Sequence, residues 1–257
     1  MANLIHPTAI VHKEAKIGDN VKIGPFSIVE KNTSIGDNTE IGSSVLIKEF
    51  SSIGQECKIF KGAVVGEIPM DLKFEGEKSS LQIGDRTTVR EFCTLHRGTK
   101  DKKITKIGSD CLLMSYSHVA HDVVVGDNVI VSISVNIAGH AEIDDFAIIG
   151  GCTPVHQFCK VGKHAFIGGG RLILQDVPPY ILATGEPLRY AGINSVGLRR
   201  RKFSAKTRAQ IKKAYSLIYQ SDLNTSQAVM KIKEDFDVSD EINVILEFIE
   251  RSDRGLI

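Results

Sequence analysis

The chain has 257 residues, with 32 Lys or Arg against 31 Asp or Glu and a formal net charge of +1 at pH 7. This balance gives no indication of binding to nucleic acid or to a membrane surface. No apolar run approaches the ~20 residues that cross a bilayer, and the first residues lack the pattern of a secretory signal. The five cysteines are odd in number and lack metal-type spacing, which favours a reduced, cytoplasmic compartment.

A six-residue repeat dominates residues 5–173. Stepping by six from Ile5 to Ile173 gives 29 positions, of which 26 are Ile, Val or Leu, and a Gly follows at 12 of them. Glycine tolerates the tight, positive-φ geometry of a corner where a Cβ would clash. Short β-branched strands joined by corners, three to a turn, predict a parallel β-helix whose residues 18 apart stack about 4.8 Å from one another. The small fifth column of the repeat holds four cysteines that we expect to be buried: Cys57, Cys93, Cys111 and Cys159.

Two segments without the aliphatic repeat predict loops near residues 70–82 and 96–106. They are either tolerated insertions or carriers of binding groups, as loops on rigid scaffolds often are. Beyond them, the paired prolines of "QDVPPY" at 175–180 end the β-helix. From Ser204 onward, helical spacing with Ser and Thr caps predicts α-helices. We therefore expect a β-helix over residues 1–186 and a small α-helical domain over residues 187–257.

Polar residues are predicted to stack on one edge of this β-helix. His121 lies beneath Gly139 and then Gln157 in the stacking of 18, and Asp122 lies beneath His140. His156 occupies the neighbouring column. A neutral imidazole can take a proton from a hydroxyl, and a glycine lets an acyl carbonyl approach a backbone N–H. The cluster holds no Ser or Cys nucleophile, which favours direct transfer over a covalent acyl-enzyme.

Two other functions remain open at this point. His118, His121 and His140 could be ligands of a zinc ion shared between subunits, with ligand distances of about 2.1 Å. Alternatively, the chain is a non-enzymatic β-solenoid, which would not need the histidine column. We expect an enzyme without metal or cofactor.

Residues 187–221 contain nine Lys or Arg and no Asp or Glu, including "RRRK" at 199–202. The simplest explanation is a solvated helix face. In a chain of net charge +1, however, this segment predicts a polarised surface that binds an acidic protein or phosphates. No nucleic-acid-binding motif accompanies it.

Several motifs together resemble the family of UDP-N-acetylglucosamine O-acyltransferases, which begin lipid A biosynthesis. They are "DLK" at 71–73, "HRGT" at 96–99, "HVAHD" at 118–122, "AGH" at 138–140, "HQF" at 156–158, "QDVPPY" and the terminal "RSDRG". The resemblance covers essentially the whole chain. It implies a left-handed β-helix and a cytoplasmic homotrimer with active sites between neighbouring prisms. It also implies that acyl carrier protein delivers a 3-hydroxyacyl thioester to the sugar 3-hydroxyl of UDP-N-acetylglucosamine.

The resemblance also assigns roles to residues. His121 matches the general base, Asp122 the residue that orients it, and Gly139 the backbone donor to the oxyanion. Gly169 matches a position that limits acyl length, and a glycine there predicts longer chains. Residues that match the lining of the sugar-nucleotide and acyl-pantetheine site are Asp71, Lys73, His96, His118, His140, His156 and Gln157. Residues that match the uridine and phosphate contacts are Asn194, Arg200 and Arg201.

The chain departs from the family at Val196, where similar members often carry an acidic residue near the ribose. Some relatives acylate a 3-amino sugar instead of a hydroxyl, and no residue of this sequence decides between the two acceptors. The N-acyltransferases that act later in the same pathway share the β-helix, but their chains are longer and have an extra N-terminal domain.

Overall fold

The computed structural model describes residues 4–236 and 239–257. Short strands alternate with corners and form three parallel sheets, A, B and C, that enclose a triangular prism. Sheet A contains Leu4–Ile5, Lys22–Ile23, Glu40–Ile41, Lys58–Ile59, Thr88–Val89, Leu112–Leu113, Ile130–Val131, Ile148–Ile149, Phe166–Ile167, Ile181–Thr184 and Arg189–Ile193. Sheet B contains Ile10–Val11, Ile28–Val29, Leu46–Ile47, Val64–Glu67, Thr94–His96, His118–Val119, Asn136–Ile137 and Pro154–Val155. Sheet C contains Lys16–Ile17, Ser34–Ile35, Ser51–Ile53, Ser80–Ile83, Ile104–Ile107, Val124–Val125, Glu142–Ile143 and Lys160–Val161.

The aliphatic repeat forms the core of the prism. From Ile23 to Ile173, every Ile, Val or Leu on the six-residue register is at most 3 % exposed. The four fifth-column cysteines are buried as predicted, whereas Cys152 lies exposed at a corner. Because each coil buries its aliphatic side chains only against the coils above and below, the core is one continuous column.

The corners differ from the prediction in which residue takes the positive φ. It is the fourth residue of the repeat, even where that residue is not glycine, as at Asp122 (φ 59°) and His140 (φ 62°). The glycines in the second column, apart from Gly66 (φ 83°), do not have a positive φ and have another role. A Cβ at Gly36 would lie 2.6 Å from the backbone nitrogen of Gln55 in the next coil. These glycines are therefore required by close stacking of the coils.

The three corners of each coil align into three edges, which we name after the sheets they join: A–B, B–C and C–A. Residues 68–79 and 97–103 leave the prism as loops, and both do so at the B–C edge. The loops lengthen the stacking interval, so that Val64 pairs with Thr94 and Thr94 pairs with His118. Above them the interval of 18 residues returns, with His118 paired to Asn136.

After the prism, the final strand of sheet A, Arg189–Ile193, turns back antiparallel to Ile181–Thr184. Four helices follow in the part of the chain that the structure describes. They are α1 Ser195–Arg200, α2 Ala205–Tyr219, α3 Thr225–Asp235 and α4 Asp240–Glu250. Ser204, Asn224 and Ser239 cap the last three. Residues 237 and 238 of the predicted helical domain lie outside the described residues. None of the helices in the described ranges is long and apolar enough to cross a membrane.

The last residues, 251–257, form a C-terminal strap across the end of sheet C. The buried carboxylate of Asp176 accepts hydrogen bonds from the Ser252 hydroxyl (2.7 Å) and the Arg254 N–H (3.3 Å). It also accepts one from the Lys160 N–H at 2.7 Å, and Leu256 bridges to Asp176 as a parallel partner. The strap thus continues the pairing of sheet C beyond its last strand.

Candidate active site

The B–C edge carries an imidazole and a carboxylate side by side. His121 and Asp122 follow the strand His118–Val119, and Nδ1 of His121 lies 2.9 Å from Oδ2 of Asp122. The Asp122 side chain is fully buried, whereas the His121 side chain is 16 % exposed. The positive φ at Asp122 turns the chain so that the carboxylate points inward behind the imidazole. This places the other ring nitrogen of His121, Nε2, away from the carboxylate.

The loop of residues 97–103 surrounds the Asp122 carboxylate with donors. The Thr99 N–H donates to Oδ1 at 3.0 Å, the Thr99 hydroxyl donates to Oδ2 at 2.6 Å, and the Lys102 N–H reaches Oδ1 at 3.3 Å. Burial alone would raise the pKa of Asp122, but the hydrogen bonds from His121 and Thr99 outweigh it and lower the pKa to about 2. The ionised carboxylate favours a proton on Nδ1 of His121, which leaves Nε2 free to accept one.

Gly139 stacks directly above His121. An ideal Cβ at Gly139 would lie 2.6 Å from Cε1 of the imidazole and 2.8 Å from Nε2. Any side chain here would therefore displace the ring. Within residues 4–236 and 239–257, no atom accepts a hydrogen bond from the Gly139 N–H.

Three further histidines surround the pair. His140 contacts His121 edge-to-face with 5.2 Å between ring centroids, and its Nε2 lies 3.8 Å from the Asp122 carboxylate. His96 and His118 form a second edge-to-face pair at 4.8 Å. Burial lowers the pKa of His96 to about 4, and it also lowers the pKa values of His118 and His140. These three imidazoles are therefore neutral at pH 7.

A groove of about 400 Å³ runs from this edge across the face of sheet B. It brings together five of the residues predicted from the sequence, namely His96, His118, His121, Gly139 and His156. Sequence reasoning missed the other residues that line it, which are mostly apolar: Met70, Ala120, Asn136, Ala138, Pro154, Val155 and Leu172. Outward columns of the repeat could have indicated Asn136, Pro154 and Leu172, because they stack above His118 at intervals of 18.

Four other residues assigned from the sequence do not line the groove, namely Asp71, Lys73, Gln157 and Gly169. Asp71 and Lys73 are on the loop that contributes Met70, and the Asp71 carboxylate accepts a hydrogen bond from the Lys73 N–H at 3.0 Å. Gln157 is exposed, and its carbonyl lies 3.1 Å from Nδ1 of His156. Gly169 is at the A–B edge, where a Cβ would lie 3.0 Å from the Gly151 carbonyl oxygen. Gly169 is thus on the far side of sheet B from His121.

The residues matched to the nucleotide lie on a different edge of the same chain. The Asn194 side chain donates to the His164 carbonyl at 3.0 Å, and the Arg201 guanidinium lies 4.9 Å from the Phe146 ring centroid. Phe146 and His164 are corner residues of the C–A edge. Arg200 is exposed on α1 beside them. One chain alone therefore does not bring Asn194, Arg200 and Arg201 to His121.

The residues that could hold a metal ion are not the three histidines of the zinc hypothesis, His118, His121 and His140. Among residues 4–236 and 239–257, the ligand atoms of His121, Asp122 and His140 lie within 4.8 Å of one another. His118 is outside this group, and its Nδ1 lies 2.8 Å from the Thr94 hydroxyl. Both oxygens of Asp122 already accept hydrogen bonds, and a metal would have to displace them.

Two family models match the chain. The model described as UDP N-acetylglucosamine O-acyltransferase, domain 2, matches residues 176–257. The bacterial transferase hexapeptide model of six repeats matches residues 14–49 and 104–138. The acyl-[acyl-carrier-protein]–UDP-N-acetylglucosamine O-acyltransferase of Thiobacillus denitrificans is 48% identical over 254 residues, which cover 98% of each chain. This chain belongs to the UDP-N-acetylglucosamine O-acyltransferase family.

Solved structures of the family agree with this placement. The UDP-N-acetylglucosamine acyltransferase of Bacteroides fragilis superposes with a TM-score of 0.97 at 48% identity, covering 99% of this chain and 100% of that one. The Acinetobacter baumannii structure gives a TM-score of 0.95 at 43% identity, covering 99% of both. These similarities confirm the predicted fold class, a left-handed parallel β-helix with a small α-helical C-terminal part.

Proposed function

We propose that this acyltransferase moves a 3-hydroxyacyl chain from acyl carrier protein to the 3-hydroxyl of UDP-N-acetylglucosamine. The observation that carries the proposal is the buried carboxylate of Asp122 next to the partly exposed imidazole of His121, with Gly139 stacked on the ring. The relative from Thiobacillus denitrificans bears the name of this reaction. That relative is named an O-acyltransferase, which favours a hydroxyl acceptor over a 3-amino sugar.

The proposed reaction is a direct transfer. Nε2 of His121 takes the proton of the sugar 3-hydroxyl while the hydroxyl oxygen attacks the thioester carbonyl. The Gly139 N–H, which has no other acceptor among the described residues, donates to the oxyanion that forms. When the intermediate collapses, the carbon–sulfur bond breaks and the imidazolium returns its proton to the leaving thiolate. Asp122 stabilises the imidazolium between these two steps.

The groove suggests how the substrates lie. The neutral imidazoles at the B–C edge offer both donors and acceptors to a sugar, and we assign this end to the acceptor. The apolar face of sheet B, including Leu172, suits an acyl chain that extends toward Gly169 at the A–B edge. We keep the remaining assigned contacts as part of the proposal: Asp71, Lys73, His96, His118, His140, His156 and Gln157.

A homotrimer is part of the same proposal, and the outward columns of the sheets support it. Apart from Val124, the outward column of sheet C is polar: Lys16, Ser34, Ser52, Gln82, Lys106 and Glu142. Sheets A and B each present an apolar stretch next to a polar one. On A, Leu112, Ile130, Ile148 and Phe166 follow Lys22, Glu40, Lys58 and Thr88; on B, Ile10, Ile28, Leu46 and Val64 precede Thr94, His118 and Asn136. Packing sheet A of one copy on sheet B of the next would cover both faces and leave sheet C in solvent.

This packing would also complete the site. In a threefold arrangement of this kind, the A–B edges meet at the axis. The C–A edge of one copy then lies beside the B–C edge of the next. Asn194, Arg200 and Arg201 of one copy would reach a nucleotide whose sugar lies at His121 of its neighbour. We therefore propose that the active site is shared between two copies.

We further propose that the basic segment 187–221 binds acyl carrier protein and that the enzyme works in the cytoplasm. Arg199 and Arg200 are exposed in the last turn of α1, where they can pair with an acidic partner. The proposal places the enzyme at the first step of lipid A biosynthesis.

One incubation tests the function. The purified chain is mixed with UDP-N-acetylglucosamine and a series of 3-hydroxyacyl and plain acyl carrier proteins, and the products are read by mass spectrometry. We expect an ester of a 3-hydroxyacyl chain, with longer chains preferred because Gly169 leaves the groove open. No acyl product, or acylation of the 3-amino analogue alone, would contradict the proposal. A chain-length profile that peaks at ten carbons would contradict the role of Gly169.

A further inference from the structure

We infer that Thr99 and the tight loop around it are a positioning device for the catalytic pair. The loop holds the Asp122 carboxylate ionised and aimed at Nδ1 of His121. The inference rests on the proposed function, since it assigns Thr99 a part in that reaction. Thr99 does not touch the substrate groove and acts through Asp122.

The contacts of Thr99 are unusually complete for one residue. It is 4 % exposed, and it gives the carboxylate two hydrogen bonds, one to each oxygen, from its N–H (3.0 Å) and its hydroxyl (2.6 Å). Two donors on two oxygens fix both the rotation and the depth of a carboxylate. The oxygen that accepts the Thr99 hydroxyl, Oδ2, is also the one that faces His121. Thr99 thus sets the position of the atom on which the imidazole depends.

The loop is built to stay closed around this carboxylate. A Cβ at Gly98 would lie 2.9 Å from Oδ1 of Asp122 and 2.3 Å from the Ile104 nitrogen, so the turn has no room for a side chain there. The Lys103 N–H donates to the Thr99 carbonyl at 2.8 Å and closes the turn. Lys102 extends the hold outward, with its ammonium 3.3 Å from the Glu142 carboxylate on sheet C.

The backbone of Asp122 is fixed as well. Its N–H donates to the hydroxyl of Thr105, on the strand where the loop rejoins sheet C, at 2.8 Å. The loop thus binds the carboxylate of Asp122, and the strand that follows the loop binds the backbone N–H of Asp122. Stacking of the coils does not itself require the hydroxyls of Thr99 and Thr105, because equivalent corners elsewhere in the prism form without such hydroxyls.

The test compares Thr99→Val, which keeps the shape and removes the hydroxyl, with Thr99→Ser, which keeps the hydroxyl. The matched control is Thr87→Val. Thr87 is fully buried and its hydroxyl donates to the Gly108 carbonyl at 2.7 Å, away from the catalytic pair. We expect Thr99→Val to lower kcat by about 10-fold with KM for both substrates unchanged, because one charge-assisted hydrogen bond is lost. Thr99→Ser should recover most of this activity, and Thr87→Val should lose little.

A second measurement does not depend on turnover. The Nδ1–H proton of His121, observed by NMR with isotope-labelled histidine and assigned by its loss in His121→Ala, should shift in Thr99→Val and not in Thr87→Val. A kcat for Thr99→Val equal to that of the wild type, equal losses in the two valine variants, or an unmoved proton resonance would each overturn the inference. If the wild-type chain makes no acyl product, the proposed function fails, and the proton resonance still reports on Thr99.

Discussion

His140 and His164 occupy the same position of the repeat on two different edges of the prism. Both have a positive φ, 62° and 58°, and both stack flat on a phenylalanine, at 4.6 Å and 4.7 Å between centroids. His140 also lies beside the Asp122 carboxylate and the His121 ring. His164 instead packs against three aromatic rings, and its Nδ1 has no hydrogen-bond partner in the described residues. The corner thus sets the position of a histidine, while its neighbours decide whether it belongs to a polar site or to a packed stack.

The largest effect is expected at the polar edge. His121→Ala should lower acyl transfer on the order of 100-fold or more, because general base catalysis contributes about that much. The protein should still fold, because Thr99 and Lys102 continue to donate hydrogen bonds to the buried Asp122 carboxylate. The matched control is His12→Ala, an exposed histidine at the same B–C edge in an early coil. Activity of His121→Ala within a few-fold of the His12→Ala variant would contradict the assignment.

The aromatic edge should respond to pH through stability. Burial, followed by repulsion from Arg201 and Lys163, lowers the pKa of His164 to about 4. Between the ordinary histidine value near 6.5 and about 4, the unfolded chain binds a proton that the folded chain does not. The contribution of neutral His164 to the free energy of unfolding is therefore fully present above pH 6.5. It is lost as the pH falls from 6.5 to about 4.

His164→Asn removes this titration, so its melting temperature should fall less steeply between pH 6.5 and 4, by ~2 °C or more across the window. His96→Asn should flatten the curve in the same way, because burial also lowers the pKa of His96 to about 4. Thermal unfolding at a series of pH values checks both. Slopes identical to that of the wild type would show that burial does not keep these rings neutral.

The smallest effect is expected at the basic surface next to the aromatic edge. Arg199→Glu should raise KM for the acyl carrier by a few-fold at low salt, and the difference should shrink as salt screens the charges. Lys16→Glu, on the polar face of sheet C, makes the same charge change far from the basic segment. Equal KM values for the two variants, or a difference that does not depend on salt, would argue against carrier binding by residues 187–221.

The repeat predicted most of the prism because each residue type in it has one physical task. Aliphatic residues at intervals of six are buried against the next coil. Counting in steps of 18 therefore placed Gly139 above His121 and His140 above Asp122. The second-column glycines were found by the same counting, and the expected clash of a Cβ is confirmed, but the expected positive φ was wrong for all of them except Gly66. Close approach of the next coil requires them, and the positive φ belongs to the fourth residue.

The donors to Asp122 could not be placed in this way. Thr99 and Lys102 lie where the repeat is interrupted, and no stacking interval relates them to residue 122. The motif "HRGT" indicated the segment. The path of the loop, however, depends on the hydrogen bond from Thr99 to Asp122, which is 23 positions further along the chain. Likewise, the separation of Arg201 from His121 within one chain follows from the way the last strand and α1 return to the C–A edge. The sequence contains no periodic signal for that return.

The C-terminal strap has a consequence for how the molecule forms. Paired strands along the prism are 16 to 30 residues apart, so a newly made coil can dock on the one before it while synthesis continues. The strap instead reaches back 76 residues, from Ser252 to Asp176. We therefore expect the coils to form through local contacts, whereas the last edge of sheet C gains its partner only when the C-terminal strap has been made. An unpaired strand edge can pair with other chains, so we expect the strap to protect the end of sheet C from such pairing.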